Sequence, residues 1–500
     1  MADSHVNDPD PSGMAMPGLI DAAEPAPPAS AAAMGVSPIL TGHVGRALLW
    51  LALPVLAEQA LNICVGMTDI YLAGYVGSDA TVAVGLAAHF GWLIVILFGL
   101  IGTAATALVA RAIGRQAYDE ANHVANQAVA LGAGMGIVAT AAVIFVAPWI
   151  PRLFGLESQA AGLATRYIRI DAIGHVLGGI LGIGNACMRG AGDTRTPLRV
   201  MAIVNLCNVV VSAVLTLGIP GVLPRLGVVG IATGTACARI VGGLLVVATL
   251  SRIRTWFGPT ILFGRTAPLL TLHRRQMRLQ RATLHRLLRI GAPGGADGIA
   301  LWVGQLLFVR IINGLAGGDL QTDIYAAHII GIRIESLSYL PAFAWGIAAA
   351  TMVGQSLGAR DPSRASRSGH LAAAQGAALT AMLGALYFLF APQLYGLFTD
   401  TPRVIAIGVP AFRMLAFFQI PCALMIIYPG ALRGAGDTRY PLLFTLLGMM
   451  AFRLPLAWFF GHAMGWGLCG AWIGMCADMT LRATLGAWRF AHGGWKRTRV

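Results

Sequence analysis

The chain reads as an all-α membrane protein of twelve transmembrane helices, arranged as two parallel six-helix repeats. Three observations say so. Hydrophobic residues make up 57% of it and charged ones 11%, against roughly 45–50% and about 25% for an ordinary soluble domain. Apolar runs of about 18 residues or more, enough to cross about 30 Å of hydrocarbon, recur along nearly the whole length after residue 45. The string RGAGDTR stands at 189–195 and returns at 433–439.

The apolar runs fall near 46–73, 83–110, 124–149, 162–188, 197–219, 228–250, 287–312, 325–356, 371–396, 404–431, 441–461 and 466–488. Each is continuously apolar rather than alternating, which selects helices over barrel strands. Ahead of them, Asp3, Asp8, Asp10 and the stretch EPAPPAS lack the basic start and apolar middle of a signal peptide, and predict a disordered tail over 1–44. The seven cysteines lie in or beside apolar runs without paired loop spacing, so neither a disulfide framework nor a metal site is expected.

A formal charge of +14 would suggest nucleic acid in a soluble chain, but its placement here speaks of topology. With the N-terminus inside, the inner connections hold Arg111 and Arg115; Arg189, Arg195 and Arg199; seven arginines from Arg252 to Arg281; Arg360, Arg364 and Arg367; and Arg433 and Arg439. The outer ones hold little beyond Arg152, Arg225 and Arg403, with Asp79, Glu157, Asp319, Asp323 and Asp400. That is the positive-inside pattern, with both termini cytoplasmic. HRRQMRLQR (273–281) then belongs to a cytoplasmic linker held near anionic lipid, and no nucleic-acid partner is expected.

The repeated string belongs to a longer correspondence. MRGAGDTRTP (188–197) matches LRGAGDTRYP (432–441), and the same offset of 244 aligns Gly114 with Gly358, Pro148 with Pro392 and Phe154 with Phe398. RALLWLALP (46–54) resembles HRLLRIGAP (285–293) at an offset of 239. Six spans is an even number, so both halves start on the same side and are related by an axis along the membrane normal. The divisions are a first lobe at 45–251, a linker at 252–286, a second lobe at 287–490 and a basic tail at 491–500. In each RGAGDTR the glycines close one helix, Asp and Thr cap the next, and Pro197 or Pro441 sits in its first turn. Arg189, Asp193 and Arg195, with Arg433, Asp437 and Arg439, are alternatively a gate.

An ionisable group in a spanning helix costs roughly 2.5–3.5 kcal/mol on insertion scales, so each needs a reason. Glu58, Asn62, Gly66 and Asp69 share one face of the first span, at spacings of about one helical turn and its multiples. That face lines a wet cavity. Asp69 lies about 22 Å beyond Pro54 along the axis, in the outer half of the membrane. Asp297 is the repeat partner of Glu58. Each follows a proline, Pro54 or Pro293, that frees the carbonyl of Trp50 or Arg289 and makes a hinge; water, a cation or local hydrogen bonding can occupy the place. Glu335 with Arg333 either contacts cationic substrate or forms a neutralised internal pair. Gln305 is a further substrate or gating candidate. No GxxxxGK[ST] string occurs, and His89, His175, His328 and His462 lack ligand spacing, so no enzyme, metal or cofactor is expected.

LALPVLAEQALNICVGMTDIYLAGYVG, the two RGAGDTR copies, YAAHIIGIRIESLSYLPAFAWGIAAATMVGQSLGA and GLCGAWIG together resemble the multidrug and toxic compound extrusion (MATE) family of efflux antiporters. The resemblance implies two lobes forming a V in a bacterial inner membrane, a monomer that exports organic cations or toxic amphiphiles against an inward cation flow. It matches Asp69 to the coupling carboxylate, and in the branch resembling DinF it matches Asn208 and Thr235 to its partners. Ser212 stands where that branch has a second aspartate. One carboxylate without a second favours a proton over sodium, since a lone buried acid takes and releases a proton. The acidic pair of the NorM-like branch is missing, with Leu301 and Cys422 near its positions. A flippase for lipid-linked precursors or polysaccharide shares the wider fold and is the alternative; it calls for a denser set of cationic residues in the cavity.

The arginine asymmetry makes an expected outcome of topology: a cysteine at Ser78 reacts with an impermeant thiol reagent from outside and one at Ala282 does not. Reversed labelling would overturn the orientation.

Overall fold

The computed structural model describes residues 38–156, 158–251 and 270–498. Residues 1–37, Glu157, 252–269 and 499–500 lie outside the described residues, and with them most of the expected tail and half of the linker. The spans are α1 Val44–Val76, α2 Ser78–Gly114, α3 Tyr118–Val146, α4 in two pieces (Ser158–Ile173 and His175–Gly190), α5 Arg195–Leu217 and α6 Val228–Leu250. The second half has α7 Arg281–Asn313, α8 Gly318–Gly358, α9 Pro362–Gly396, α10 in two pieces (Pro402–Ala416 and Gln419–Gly434), α11 Arg439–Ala463 and α12 Gly467–His492. Among the described residues nine are long and apolar enough to cross a membrane singly, and α4 and α10 are long and apolar enough as pairs bent by 54° and 56°. α12 carries Asp478, Arg482 and Arg489, whose charges are met inside the protein.

The bends do not fall at the expected hinges. α1 and α7 run continuously through Pro54 and Pro293. Bending occurs instead at Gly174 in α4, at Phe417–Phe418 in α10, and at Phe390 in α9, whose φ and ψ leave the helical range just before Pro392. A proline removes one hydrogen bond, and α1 and α7 are packed in cores on both sides of theirs.

That packing crosses between the halves. Leu48, Leu51, Ala52 and Val55 of α1 lie in a core with Trp345 and Ile427 of the second half, while Leu72 and Ala73 join Ala83 and Tyr167 of the first. α7 does the converse: Leu287 and Ile290 pack in a first-half core, and Phe308 and Ile312 in a second-half one. The chain division at the linker is therefore a division of the repeat, and near the RGAGDTR turns the packing units exchange a helix.

At that same end, here called the motif end, the halves are sealed by contacts that obey the repeat. A Cβ on Gly114 would collide with the backbone oxygen of Gln355, and one on Gly358 with that of Arg111. Arg111 and Gln355 are themselves repeat partners, and each donates across the seam: Gln355 Nε2 to Gly190 O at 3.0 Å, Arg111 Nη2 to Ala435 O at 2.8 Å. Thr351 Oγ1 adds a bond to Arg189 O at 2.9 Å, and Arg111 Nη1 holds Thr498 O of the C-terminal tail at 3.0 Å. The described part of the linker is tied to α3 by side-chain amides: Asn122 Oδ1 accepts from Thr271 N, Asn126 Oδ1 from His273 N and Gln127 Oε1 from Gln280 N, each at 2.7 Å.

Gly358→Ala places a methyl group against the Arg111 carbonyl, and a cost of about 1–3 kcal/mol follows from overpacking of this kind. The expected outcome is a lower thermal midpoint in detergent, with Ala359→Ser unchanged.

Candidate functional site

Four helices converge on Asp69. It is 5% exposed, and both carboxylate oxygens are engaged. Thr235 Oγ1 of α6 donates to Oδ2 at 2.7 Å, Tyr167 OH of α4 donates to the same oxygen at 2.9 Å, and Asn208 Nδ2 of α5 reaches Oδ1 at 3.4 Å. Asn208 Nδ2 also lies 3.1 Å from Thr235 Oγ1 and 3.4 Å from Ser212 Oγ. The close meeting of α5 and α6 depends on Gly234, where a Cβ would strike Ser212. Without that glycine Thr235 would stand off from the carboxylate.

The donor set is neutral. No arginine or lysine among the described residues forms an ion pair with Asp69, and Asn208 Oδ1 is buried without a partner. Ser212 is fully buried and supplies a hydroxyl where a second carboxylate was conceivable. One ionisable oxygen pair, three hydroxyls and a free amide oxygen can accept a proton or one small cation. No three His, Cys, Asp or Glu side chains among the described residues form a metal-binding group.

Two neighbours were not singled out from sequence. Tyr167 carried no signal, since a tyrosine in an apolar run fits many roles. Asp171, one turn further along α4, pairs with Arg239 of α6 at 2.5 Å; Arg239 is the one charge in α6, and the insertion cost alone marks it.

The remaining candidates lie elsewhere. Glu58 points away from the Asp69 cluster and pairs with Arg189 at 2.7 Å, and Asp297 pairs with Arg433. These are the same arrangement in the two halves: the carboxylate after the proline of α1 or α7 meets the first arginine of its own lobe's RGAGDTR. In each pair the second carboxylate oxygen, Glu58 Oε2 or Asp297 Oδ1, is buried without a hydrogen-bond partner. Asn62 is exposed and donates to Glu58 O and Gln59 Oε1, so the polar face of α1 is not continuous. Gln305 accepts from Arg453 at 3.4 Å.

Arg333 and Glu335 do not form the neutralised pair allowed by sequence. Residues two apart on a helix point to different sides, so Arg333 is exposed while Glu335 is fully buried and accepts from Tyr339 OH at 3.1 Å. The motif turns are capped as expected in the first copy, where Asp193 Oδ1 accepts from Arg195 N and Thr196 N at 3.2 and 3.0 Å. In the second copy Asp437 instead pairs with Arg489 of α12 at 2.9 Å. Both turns need glycine at the left-handed positions Gly192 (φ 92°) and Gly436 (φ 83°).

A duplicated twelve-span bundle with buried carboxylates in both halves defines a polytopic membrane protein of the internally repeated kind. The MatE family model matches residues 54–214 and 298–459, and the chain belongs to that family. It is 30% identical over 464 residues to the probable multidrug resistance protein NorM of Thermotoga maritima, covering 92% of this chain and 94% of that protein. It is 23% identical to the uncharacterized transporter YisQ of Bacillus subtilis, covering 88% and 92%. Among solved structures, an outward-facing multidrug resistance MATE transporter superposes with a TM-score of 0.81 at 23% identity, covering 93% of this chain and 99% of that one. A MATE protein in complex with MaL6 gives 0.81 at 22%, covering 92% and 99%.

The twin pairs carry an expected outcome. Glu58→Gln leaves Arg189 buried without its counter-charge, at a cost of about 3–5 kcal/mol if the site stays dry. The exchanged double variant Glu58→Arg/Arg189→Glu regains part of it. Thermal unfolding of the two variants decides; equal losses would deny the pair a role.

Proposed function

We propose that the protein is a proton-coupled antiporter that exports organic cations and toxic amphiphiles, with Asp69 as the proton carrier. The observation that carries this is the donor set of Asp69. The buried carboxylates of Glu58, Asp171, Asp297, Asp437 and Asp478 each have an arginine in ion-pair contact. Asp69 and Glu335 are the buried carboxylates without an ion pair among the described residues; Glu335 accepts from Tyr339 of its own helix, whereas Asp69 is held by a tyrosine, a threonine and an asparagine from three other helices, so a change of its charge is felt between helices.

The motif end faces the cytoplasm in this reading, so the structure is closed toward the cytoplasm. A proton reaching Asp69 from outside neutralises the carboxylate, and a turn of the Asn208 amide, which now presents Nδ2 to it at 3.4 Å, would offer the unpartnered Oδ1 to the new O–H. Tyr167 and Thr235 then hold a neutral oxygen, and hydrogen bonds to neutral groups are weaker than those to charged ones. α1 is loosened from α4 and α6. Because the other end of α1 is packed in a core of the second half, its displacement reaches the motif-end seam and biases the two-state equilibrium of the lobes. Release of the proton inside restores the starting state.

Substrate class follows from the relatives' names as multidrug resistance proteins. The flippase alternative needs free cationic groups for phosphate. Arg189, Arg239, Arg433, Arg453 and Arg482 are instead occupied by carboxylates, which supports the drug antiporter.

In proteoliposomes Asp69→Asn is expected to fold and to lose ethidium efflux driven by a pH gradient; near-normal efflux would remove Asp69 from the mechanism. Tyr167→Phe removes one hydrogen bond to the charged form, worth about 1.5–3 kcal/mol, and is expected to weaken coupling while retaining some transport. A sodium gradient at constant pH is expected to drive little efflux in the unsubstituted protein.

A further inference from the structure

The internal repeat shows what the second half puts where the first keeps Asp69. GVVGIATG (227–234) of α6 aligns with GLCGAWIG (467–474) of α12 at an offset of 240. In space Gly234 packs on the backbone of Ser212 and Gly474 on that of Ala457, while Gly230 lies on Leu215–Thr216 and Gly470 on Phe460–Gly461. Both comparisons set the offset between α5 and α11 at 245, one more than the 244 of the RGAGDTR turns where these helices begin. The added residue is accommodated by the π-helical turn Leu447–Arg453, since a π turn closes over one residue more than an α turn.

That shift brings Arg453, rather than Phe452, to the place of Asn208. At the other places Asp69 is replaced by Phe308, Ser212 by Ala457, Thr235 by Met475 and Tyr167 by Ala411. Every acceptor of the first-half pocket has become apolar, and a cation stands in the middle. Arg453 is 5% exposed. Its guanidinium lies 5.5 Å from the Phe308 ring centre, 3.4 Å from Gln305 Oε1 and 3.0 Å from Asp478 Oδ2. Asp478 in turn holds Arg482 through two bonds of 2.7 and 2.9 Å. Three helices, α7, α11 and α12, enclose the guanidinium as α1, α5 and α6 enclose Asn208.

We propose that the guanidinium of Arg453 is a tethered cation that fills the second half's copy of the ion pocket. A cation on its own chain has an effective concentration no free ion reaches, so it does not exchange during the cycle. The second half is permanently loaded, and one half alone trades ions with the medium. The pocket's ligand class is a planar guanidinium, because the aromatic face, the amide oxygen and the carboxylate suit a flat, weakly hydrated cation better than an ammonium.

The proposal rests on the preceding reading only in calling the Asp69 cluster an ion pocket, so its test is first run in the Asp69→Asn background, where that reading plays no part. Arg453→Ala in that background is expected to unfold at a lower temperature than Asp69→Asn alone. Millimolar guanidinium is expected to restore most of the difference, and equal amounts of urea, its neutral isostere, or of sodium are expected to restore none. With Asp69 intact, Arg453→Ala is expected to lose proton-driven efflux in proteoliposomes and to regain it when guanidinium is present equally on both sides. No loss, no rescue, or equal rescue by urea would overturn the proposal. If Arg453→Ala yields no folded protein, Arg453→Lys and Arg453→Met carry the test: the lysine keeps a tethered charge and is expected to transport, the methionine is not, and equal behaviour of the two overturns it.

Discussion

The constraint on which this structure depends is that a charge inside hydrocarbon has to be neutralised where it sits. A buried carboxylate deprived of its partner costs several kcal/mol, and the chain meets this cost chiefly by pairing between helices, with Asp478–Arg482 the pair that runs along one. Glu58 with Arg189 ties α1 to the end of α4; Asp171 with Arg239 ties α4 to α6; Asp297 with Arg433 ties α7 to α10; Asp478 joins α11 and α12 through Arg453 and Arg482. Each pair fixes the relative position of two helices that lipid alone would not drive together. Against that background two buried carboxylates have neutral donors only, Glu335 with one from its own helix and Asp69 with three from three other helices, and the account of coupling grows from the second.

The second structural fact is that α1 and α7 belong to two cores each. A helix anchored in the first half at Leu72 and in the second at Leu48 and Leu51 transmits a change at Asp69 to the seam by rigidity alone. The seam itself is made of repeat-related parts, with Gly114 against Gly358 and the Arg111 and Gln355 side chains each bonded to the opposite lobe's turn. The RGAGDTR turns thus serve three contacts at once: a cap or ion pair for the next helix, a counter-charge for the carboxylate of α1 or α7, and acceptor carbonyls for the other lobe.

The architecture was legible in the sequence because it rests on signals that survive one-dimensional reading: hydropathy runs, and a motif returning at a constant offset. Asp69 was singled out by the polar face it shares with Glu58 in an apolar run, and by the resemblance that matches Asn208 and Thr235 to its partners. Tyr167 was not, because its meaning comes from a contact with Asp69, 98 residues away in the chain. The partners of Glu58 and Asp297 were hidden, since an ion pair between α1 and α4 spans 131 residues. Arg333 and Glu335 misled by being close in sequence, where helical geometry separates them. Pro54 and Pro293 suggested hinges, but a proline weakens a helix only as far as its surroundings let it bend. The one-residue shift in α11 is visible only where the glycines of α12 touch it.

The central claim, that one neutral-caged carboxylate exchanges protons for substrate, is tested most directly by following the proton itself. With the protein in sodium-free proteoliposomes enclosing a pH-sensitive dye, an imposed gradient of an organic cation should move protons in the opposite direction in the unsubstituted protein and move none in Asp69→Asn. Counter-movement of protons that persists in Asp69→Asn would contradict the account.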